Sequence, residues 1–264
     1  GGNLIGPDIF GRHLFSSDAT ARWGARLLQG MEPDAVGLGL ADLRSPDHLL
    51  RYLVHGHAAR IPFVASNLTC VVKTDKRCRQ FVPFRVVRRS GIRLGIISLL
   101  PTNLDKVLPR KALAWFKVTD PVKAYKAVRV QMKGTNAVDL VVVIAHLDDP
   151  GSYPANIRAF LRACGEDAPD LVLGTRSHTG NKGEEHYVLS LRQPGQAQII
   201  GVARHGRAFT RVQLPFHRTG TRWRFEAPDV NVQEIVPRLG GIPHNEQRNL
   251  ARIRKGYCRD VTRK

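Results

Sequence analysis

Apolar, mostly β-branched residues run without interruption through Leu140-Val141-Val142-Val143-Ile144-Ala145, and His146-Leu147-Asp148 follow. A run with no polar alternation predicts a strand buried on both faces, as at the centre of a parallel sheet covered by helices. Ligands of open α/β sheets collect beyond the carboxyl ends of the strands, so His146 stands where chemistry is expected. The same form recurs in Pro169-Asp170-Leu171-Val172-Leu173-Gly174-Thr175-Arg176-Ser177-His178-Thr179. Two strands thus deliver two histidines, His146 and His178, to one edge of a sheet. The competing reading makes both of them polar loop residues without a chemical role.

Around these strands the periodicity alternates between helix and strand. Ser17 or Asp18 caps a helix carrying Trp23, Leu27, Leu28 and Met31, with Gly30 at its end. A short strand ending in Gly37-Leu38-Gly39-Leu40 follows, and Ser45-Pro46-Asp47 opens a helix with Leu49, Leu50, Leu53 and Val54 on its apolar side. Ile61 to Leu68 is the next strand; Phe81 to Arg88 and Arg93 to Leu100 are two more, joined by the hairpin turn Arg89-Ser90-Gly91. Asp120-Pro121 begins a helix with Val122, Ala124, Tyr125, Val128 and Met132 on one side, and Pro154 to Cys164 forms another. From Tyr187 to Leu214 strands follow one another without helices. The change from α/β repeats to a β meander predicts two sheets packed face to face with helices outside. Pro228, Pro237, Gly240, Gly241 and Pro243 then punctuate a basic stretch, so a domain over residues 1–217 and a linker or extension over 218–264 are expected.

Lys and Arg total 41 against 22 Asp and Glu, a formal net charge of +19. Such an excess attracts polyanions, anionic lipid or phosphorylated small molecules. Basic residues cluster from Lys73 to Arg93 and from Arg248 to Lys264, with no aromatics interleaved as a base-stacking platform requires. Sequence-specific nucleic-acid binding is therefore not expected. No apolar stretch approaches the ~18 residues that cross a bilayer. The irregular, Gly-rich opening from Gly1 reads as a loop leaving an earlier strand, so a preceding segment is expected. Of the four cysteines, Cys70 and Cys78 flank a polar stretch between two strand-like runs, where a hairpin would bring them close enough for a disulfide. Two free thiols in a reducing compartment are the alternative.

Several segments, in order, resemble the calcineurin-like metallophosphoesterases, and within them the branch that contains bacterial 5′-nucleotidases. Asp34 to Gly39 is similar to the strand before the family's Gly-Asn-His-Glu motif, and Pro62 to Leu68 to its next strand. Gly91 to Leu99 resembles a hairpin return, Thr119-Asp120-Pro121-Val122 to Ala145-His146-Leu147 the helix and Ser-His-Leu strand, and Gly174 to Thr179 the Gly-His-Ser-His-Thr turn. Ala203-Arg204-His205-Gly206-Arg207 is similar to the closing Gly-x-Tyr-Gly-Lys segment. The resemblance implies a four-layer α-β-β-α sandwich of two mixed sheets, with one or more N-terminal strands missing from the chain.

It also implies two divalent cations that generate a hydroxide attacking phosphorus in line. Residue by residue, the ligands are depleted. The Gly-Asp turn whose carboxylate bridges both metals stands as Gly2-Asn3, and a neutral amide does not offset two dications. The amide ligand and catalytic histidine of Gly-Asn-His fall on Leu40 and Ala41, which offer no donor atoms. The first histidine of the last turn falls on Arg176, a fixed cation; His146 and His178 are kept. These losses point to a domain without catalytic residues, whose vestigial metal positions Asn3, Leu40, Arg176, His146 and His178 hold no cofactor. Its Arg176, His146 and His178 are the candidate anion-binding set. An active metal-dependent phosphoester hydrolase of nucleotidase type, using Mn, Zn or Mg, is the alternative, and a basic anchor for polyanions or a protein assembly is a third. The resemblance and the Cys70–Cys78 pair together imply a periplasmic or extracellular location, and a phosphate-containing small molecule or a polyanion as ligand.

Overall fold

A computed structural model describes residues 18–43, 46–58, 60–72, 80–104, 108–135, 138–147, 155–175, 188–189, 197–202, 208–219, 222–225, 229–234, 251–252 and 255. In chain order the elements are α1 (Asp18–Gly30), β1 (Val36–Gly37), α2 (Leu40–Leu43), α3 (Pro46–Ala58), β2 (Phe63–Val64), β3 (Leu68–Cys70), β4 (Phe84–Arg89) and β5 (Ile92–Leu99). There follow α4 (Arg110–Leu113), β6 (Phe116–Val118), α5 (Pro121–Thr135), β7 (Leu140–Ala145), α6 (Ala155–Cys164) and β8 (Leu171–Thr175). The last strands are β9 (Val188–Leu189), β10 (Gln198–Val202), β11 (Ala208–Gln213), β12 (Phe216–Thr219), β13 (Arg222–Phe225) and β14 (Asp229–Glu234).

Six strands form one mixed sheet in the order β4-β5-β7-β8-β10-β9. Its centre, β5 to β10, is parallel, and antiparallel β4 and β9 lie at its edges. Strand parity assigns the layers. Ile97, Leu99, Val141, Val143, Ala145 and Val172 form one apolar cluster with Tyr125, Val128 and Met132 of α5 and Ile157, Phe160 and Cys164 of α6. The opposite face, which carries Ser98 and Ile144, meets β1: a Cβ added to Gly37 would lie 2.7 Å from Ser98 Oγ and 3.0 Å from Ile144 Cγ2. Only a residue without a side chain lets β1 approach that closely. β1 pairs in parallel with β2, and Val36, Leu38 and Phe63 on the far side of this pair pack with Ala25 and Leu28 of α1 and Leu49, Leu50 and Leu53 of α3. The order is therefore helices, small sheet, large sheet, helices, the expected four layers.

Local chemistry accounts for the element ends. Asp120 accepts a hydrogen bond from Lys123 N at 2.8 Å, capping α5, and Pro121 occupies the first helical position, where no amide partner is needed. Between β4 and β5, Ser90 and Gly91 have φ of 49° and 84°, the two-residue turn whose twist matches the strands it joins. Some expectations fail. β3 does not return on the strand after it; it pairs antiparallel with β6, while β4 pairs with β5, so Cys70 is not in a β3–β4 hairpin. Leu27 and Met31 of the first amphipathic stretch are exposed, because the helix turns Leu28 and Ala25 inward instead. The division at 217 remains an expectation: β12 spans that position, and β14, within the stretch read as linker or C-terminal extension, pairs along β11.

Candidate functional site at the carboxyl edge of the sheets

Of the candidate residues, Leu40 and Ala41 follow β1 and His146 follows β7, all at carboxyl ends of strands. Register aligns Leu99 with Ala145 and Ala145 with Gly174, so these strands end at one level of the large sheet. His146 is the first residue beyond β7. Its backbone N–H extends the ladder by donating to Leu99 O at 2.9 Å. Ala145 and Leu147 both belong to the cluster under α5 and α6, so His146 alternates to the opposite face, the one turned towards β1. There it is only 4% exposed. Burial drives its pKa down to about 3, so the imidazole is uncharged near neutral pH and any fixed positive charge at this edge must come from another side chain.

After β1 the chain makes a compact turn, Gly39 to Leu43, that begins α2. Asp42, buried at 2% exposure, accepts a hydrogen bond from Gly39 N at 2.8 Å, the arrangement in which an acid at the third helical position reaches back to the capping residue. Leu40 packs against the apolar cluster under α1 and α3. The turn has kept a stapling carboxylate while the two positions after Gly39 present no donor atoms. Residue type alone hinted at Asp42: an acid three places after a glycine at a strand end is a helix-start signal. Sequence reasoning missed it because Asp42 falls outside the motif positions whose ligands are lost.

A second polar group that sequence reasoning missed is Asn67, 1% exposed between β2 and β3. Its side-chain amide donates to Leu100 O at 2.7 Å and Thr119 O at 3.0 Å, and its Oδ1 accepts from Leu100 N at 2.9 Å. Beside it, Ser66 N donates to Ser98 O at 2.8 Å and Ser66 Oγ accepts from Ser98 N at 3.0 Å. Every one of these bonds ties the segment after β2 to the end of β5 or to the start of α5. The available signal was a lone amide closing an apolar strand, Phe63-Val64-Ala65-Ser66-Asn67.

The remaining candidates are placed as follows. Leu40 lies at the start of α2 and Ala41 within it. Asn3, Arg176 and His178 lie outside the described residues. Among the described residues, no group of three or more His, Cys, Asp or Glu is arranged to hold a metal ion. Leu40, an aliphatic side chain packed against the apolar cluster, offers no ligating atom at its own position. Cys70 is disulfide-bonded, and Cys164 is a free, buried thiol whose pKa burial raises to about 11. Among the chain's four cysteines that leaves Cys78 or Cys258 as the partner, both outside the described residues. No helix among the described residues is long and apolar enough to cross a membrane.

No family model and no curated protein sequence matches the chain. Solved structures do. The calcineurin-like phosphoesterase YfkN from Bacillus subtilis superposes with a TM-score of 0.64 at 14% identity, over 90% of this chain and 75% of that one. The 5′-nucleotidase precursor from Thermus thermophilus gives 0.67 at 17% identity, over 90% of this chain and 45% of its own length. The sulfate thiohydrolase SoxB from the same organism, solved with glycerol, gives 0.63 at 15% identity, covering 93% and 41%. The chain spans less than half the length of the last two. At these identities the likeness concerns the backbone: this chain has the fold shared by calcineurin-like phosphoesterases and 5′-nucleotidases.

Proposed function

We propose that the chain is a noncatalytic domain built on the phosphoesterase fold, which binds a phosphate-bearing anion at the carboxyl edge of its sheets through Arg176, with His146 and His178 beside it. One observation carries the reading: Leu40, at the position of an amide ligand in the motif it resembles, packs into the apolar core. The turn around it is intact, stapled by Asp42, so the fold has been kept and the ligand atoms have not. Replacing a metal-ligating imidazole by Arg176 supplies one permanent positive charge and a donor fork suited to phosphate oxygens. Anion affinity can thereby persist without a metal-generated nucleophile.

Calorimetry with inorganic phosphate and with adenosine monophosphate, on the native chain and on Arg176→Ala, tests this. Loss of a charge-assisted contact is expected to weaken binding by about tenfold or more. Absence of binding by both proteins, with Arg176→Ala also less stable, would instead make the arginine an internal ion-pair partner for an acid such as Asp148 or Asp149.

We also propose that Cys70 pairs with Cys78 and that the domain works in an exported, oxidising environment. Cys70 is already one half of a disulfide, and Cys78 is the nearer of its two remaining partners in sequence. Mass spectrometry of a nonreduced digest should yield the linked peptides around 70 and 78. A Cys70–Cys258 link, or full alkylation of Cys70 and Cys78 in native protein, contradicts it.

A further inference from the structure

The outermost layer of the large sheet carries a charge pattern that the strand-edge site does not use. α5 and α6 lie side by side on the same face of that sheet, each burying an apolar stripe against it. Opposite those stripes, α5 exposes Lys123, Lys126 and Lys133, and α6 exposes Arg158 and Arg162. Lys123 to Lys133 covers about 15 Å of helix at the usual rise. Val130 projects from the middle of the lysine stripe and is 70% exposed. The other described exposed positions of the two helices are Ala, Gly, Asn or Gln, so no bulkier side chain of either helix rises beside the charged heads. The acids of this layer are confined to its ends: Asp120 caps α5, and Glu166 and Asp167 follow α6, where Asp167 pairs with Lys133 at 3.1 Å.

We propose that this α5–α6 layer is a docking surface for an anionic phospholipid bilayer. A broad, low, basic surface on two adjacent helices matches a planar array of phosphate headgroups, and each Lys or Arg brought to such a surface adds to the attraction. Val130 stands among the lysines where an apolar side chain would enter the headgroup region. A nucleic acid is disfavoured by the same surface. Neither helix exposes an aromatic residue for base stacking. The proposal is independent of the anion site at the strand edge, and it puts the contact on α5 and α6 rather than on the basic stretch from Lys73 to Arg93.

The test is flotation of the full 264-residue chain with vesicles of phosphatidylcholine containing about a third phosphatidylglycerol, and with phosphatidylcholine alone, over a salt series. The native chain is expected on the anionic vesicles at low salt, to be released as salt rises, and to be absent from the neutral ones. The triple variant Lys123→Glu/Lys126→Glu/Arg158→Glu should lose about tenfold or more in vesicle affinity. The control Arg85→Glu/Arg88→Glu, on the exposed edge strand β4, should change it by less than about threefold, the weaker effect expected of charges away from the contact. Circular dichroism of each variant checks that the fold is retained. Equal loss in the β4 control, no binding of native chain to anionic vesicles at low salt, or tighter binding to duplex DNA at the same salt would each overturn the assignment.

Discussion

Replacing Asn67 with alanine is expected to destabilise the fold by about 3 kcal/mol or more, the largest single-residue effect anticipated at the strand edge. The residue is buried, and its amide serves three backbone groups at once: Leu100 O, Leu100 N and Thr119 O. Alanine removes three hydrogen bonds, each worth about 1 kcal/mol net, and leaves backbone groups in an apolar setting without their partners. The cost of those orphaned groups is what raises the effect above that of an ordinary surface asparagine. Asn67→Asp discriminates between packing and hydrogen bonding. It preserves shape and the acceptor for Leu100 N, but at neutral pH it turns a carboxylate towards two carbonyl oxygens, so it too should be strongly destabilising. Urea unfolding at unchanged m-value measures both. A loss below about 1 kcal/mol for Asn67→Ala would mean that the loop repacks and that the clamp does not hold the segment after β2 to β5.

The same clamp bears on how the strand edge is held. The segment after β2 is pinned to the end of β5, and β1 is held against β5 by the bare Cα of Gly37. The turn carrying Leu40 and the start of the His146 segment are thereby fixed by contacts within the chain. In a dinuclear centre, bridging ligands help draw such loops together. Here Asn67 donates to Leu100 O, and Ser66 Oγ and the Asp42 carboxylate accept from Ser98 N and Gly39 N.

What was legible in the sequence had strong local causes. The uninterrupted run Leu140 to Ala145 is a central parallel strand, and Asp120-Pro121 starts a helix whose Tyr125, Val128 and Met132 are buried. Arg89-Ser90-Gly91 marked a tight hairpin, since its positive φ values are a property of the turn itself. What was misread depends on partners distant in sequence. β3 is three residues long and has no pattern that distinguishes pairing with β6 from a return along the next strand. The pairing of β14 with β11 likewise spans an intervening hairpin and leaves no local pattern behind Pro228. At the strand edge, the absence of donors at Leu40 and Ala41 could be read directly from residue type. For Asp42 and Asn67 residue type gave only a hint, because a polar residue that staples backbone is recognised by what it touches.

The central claim, that the strand edge no longer assembles a pair of metal ions, is tested most directly by counting them. The proposed reading rests on residue type at three positions of the motif resemblance: Leu40, packed against the core, Asn3, an amide for a carboxylate, and Arg176, a cation for an imidazole. Two imidazoles, His146 and His178, cannot neutralise two dications. The purified chain should be equilibrated with manganese or zinc, dialysed against trace metal and analysed for bound metal per chain, with its melting temperature followed in parallel. No stoichiometric pair and no metal-dependent rise in melting temperature are expected; two tightly held equivalents per chain, raising that temperature by mass action, would overturn the noncatalytic reading.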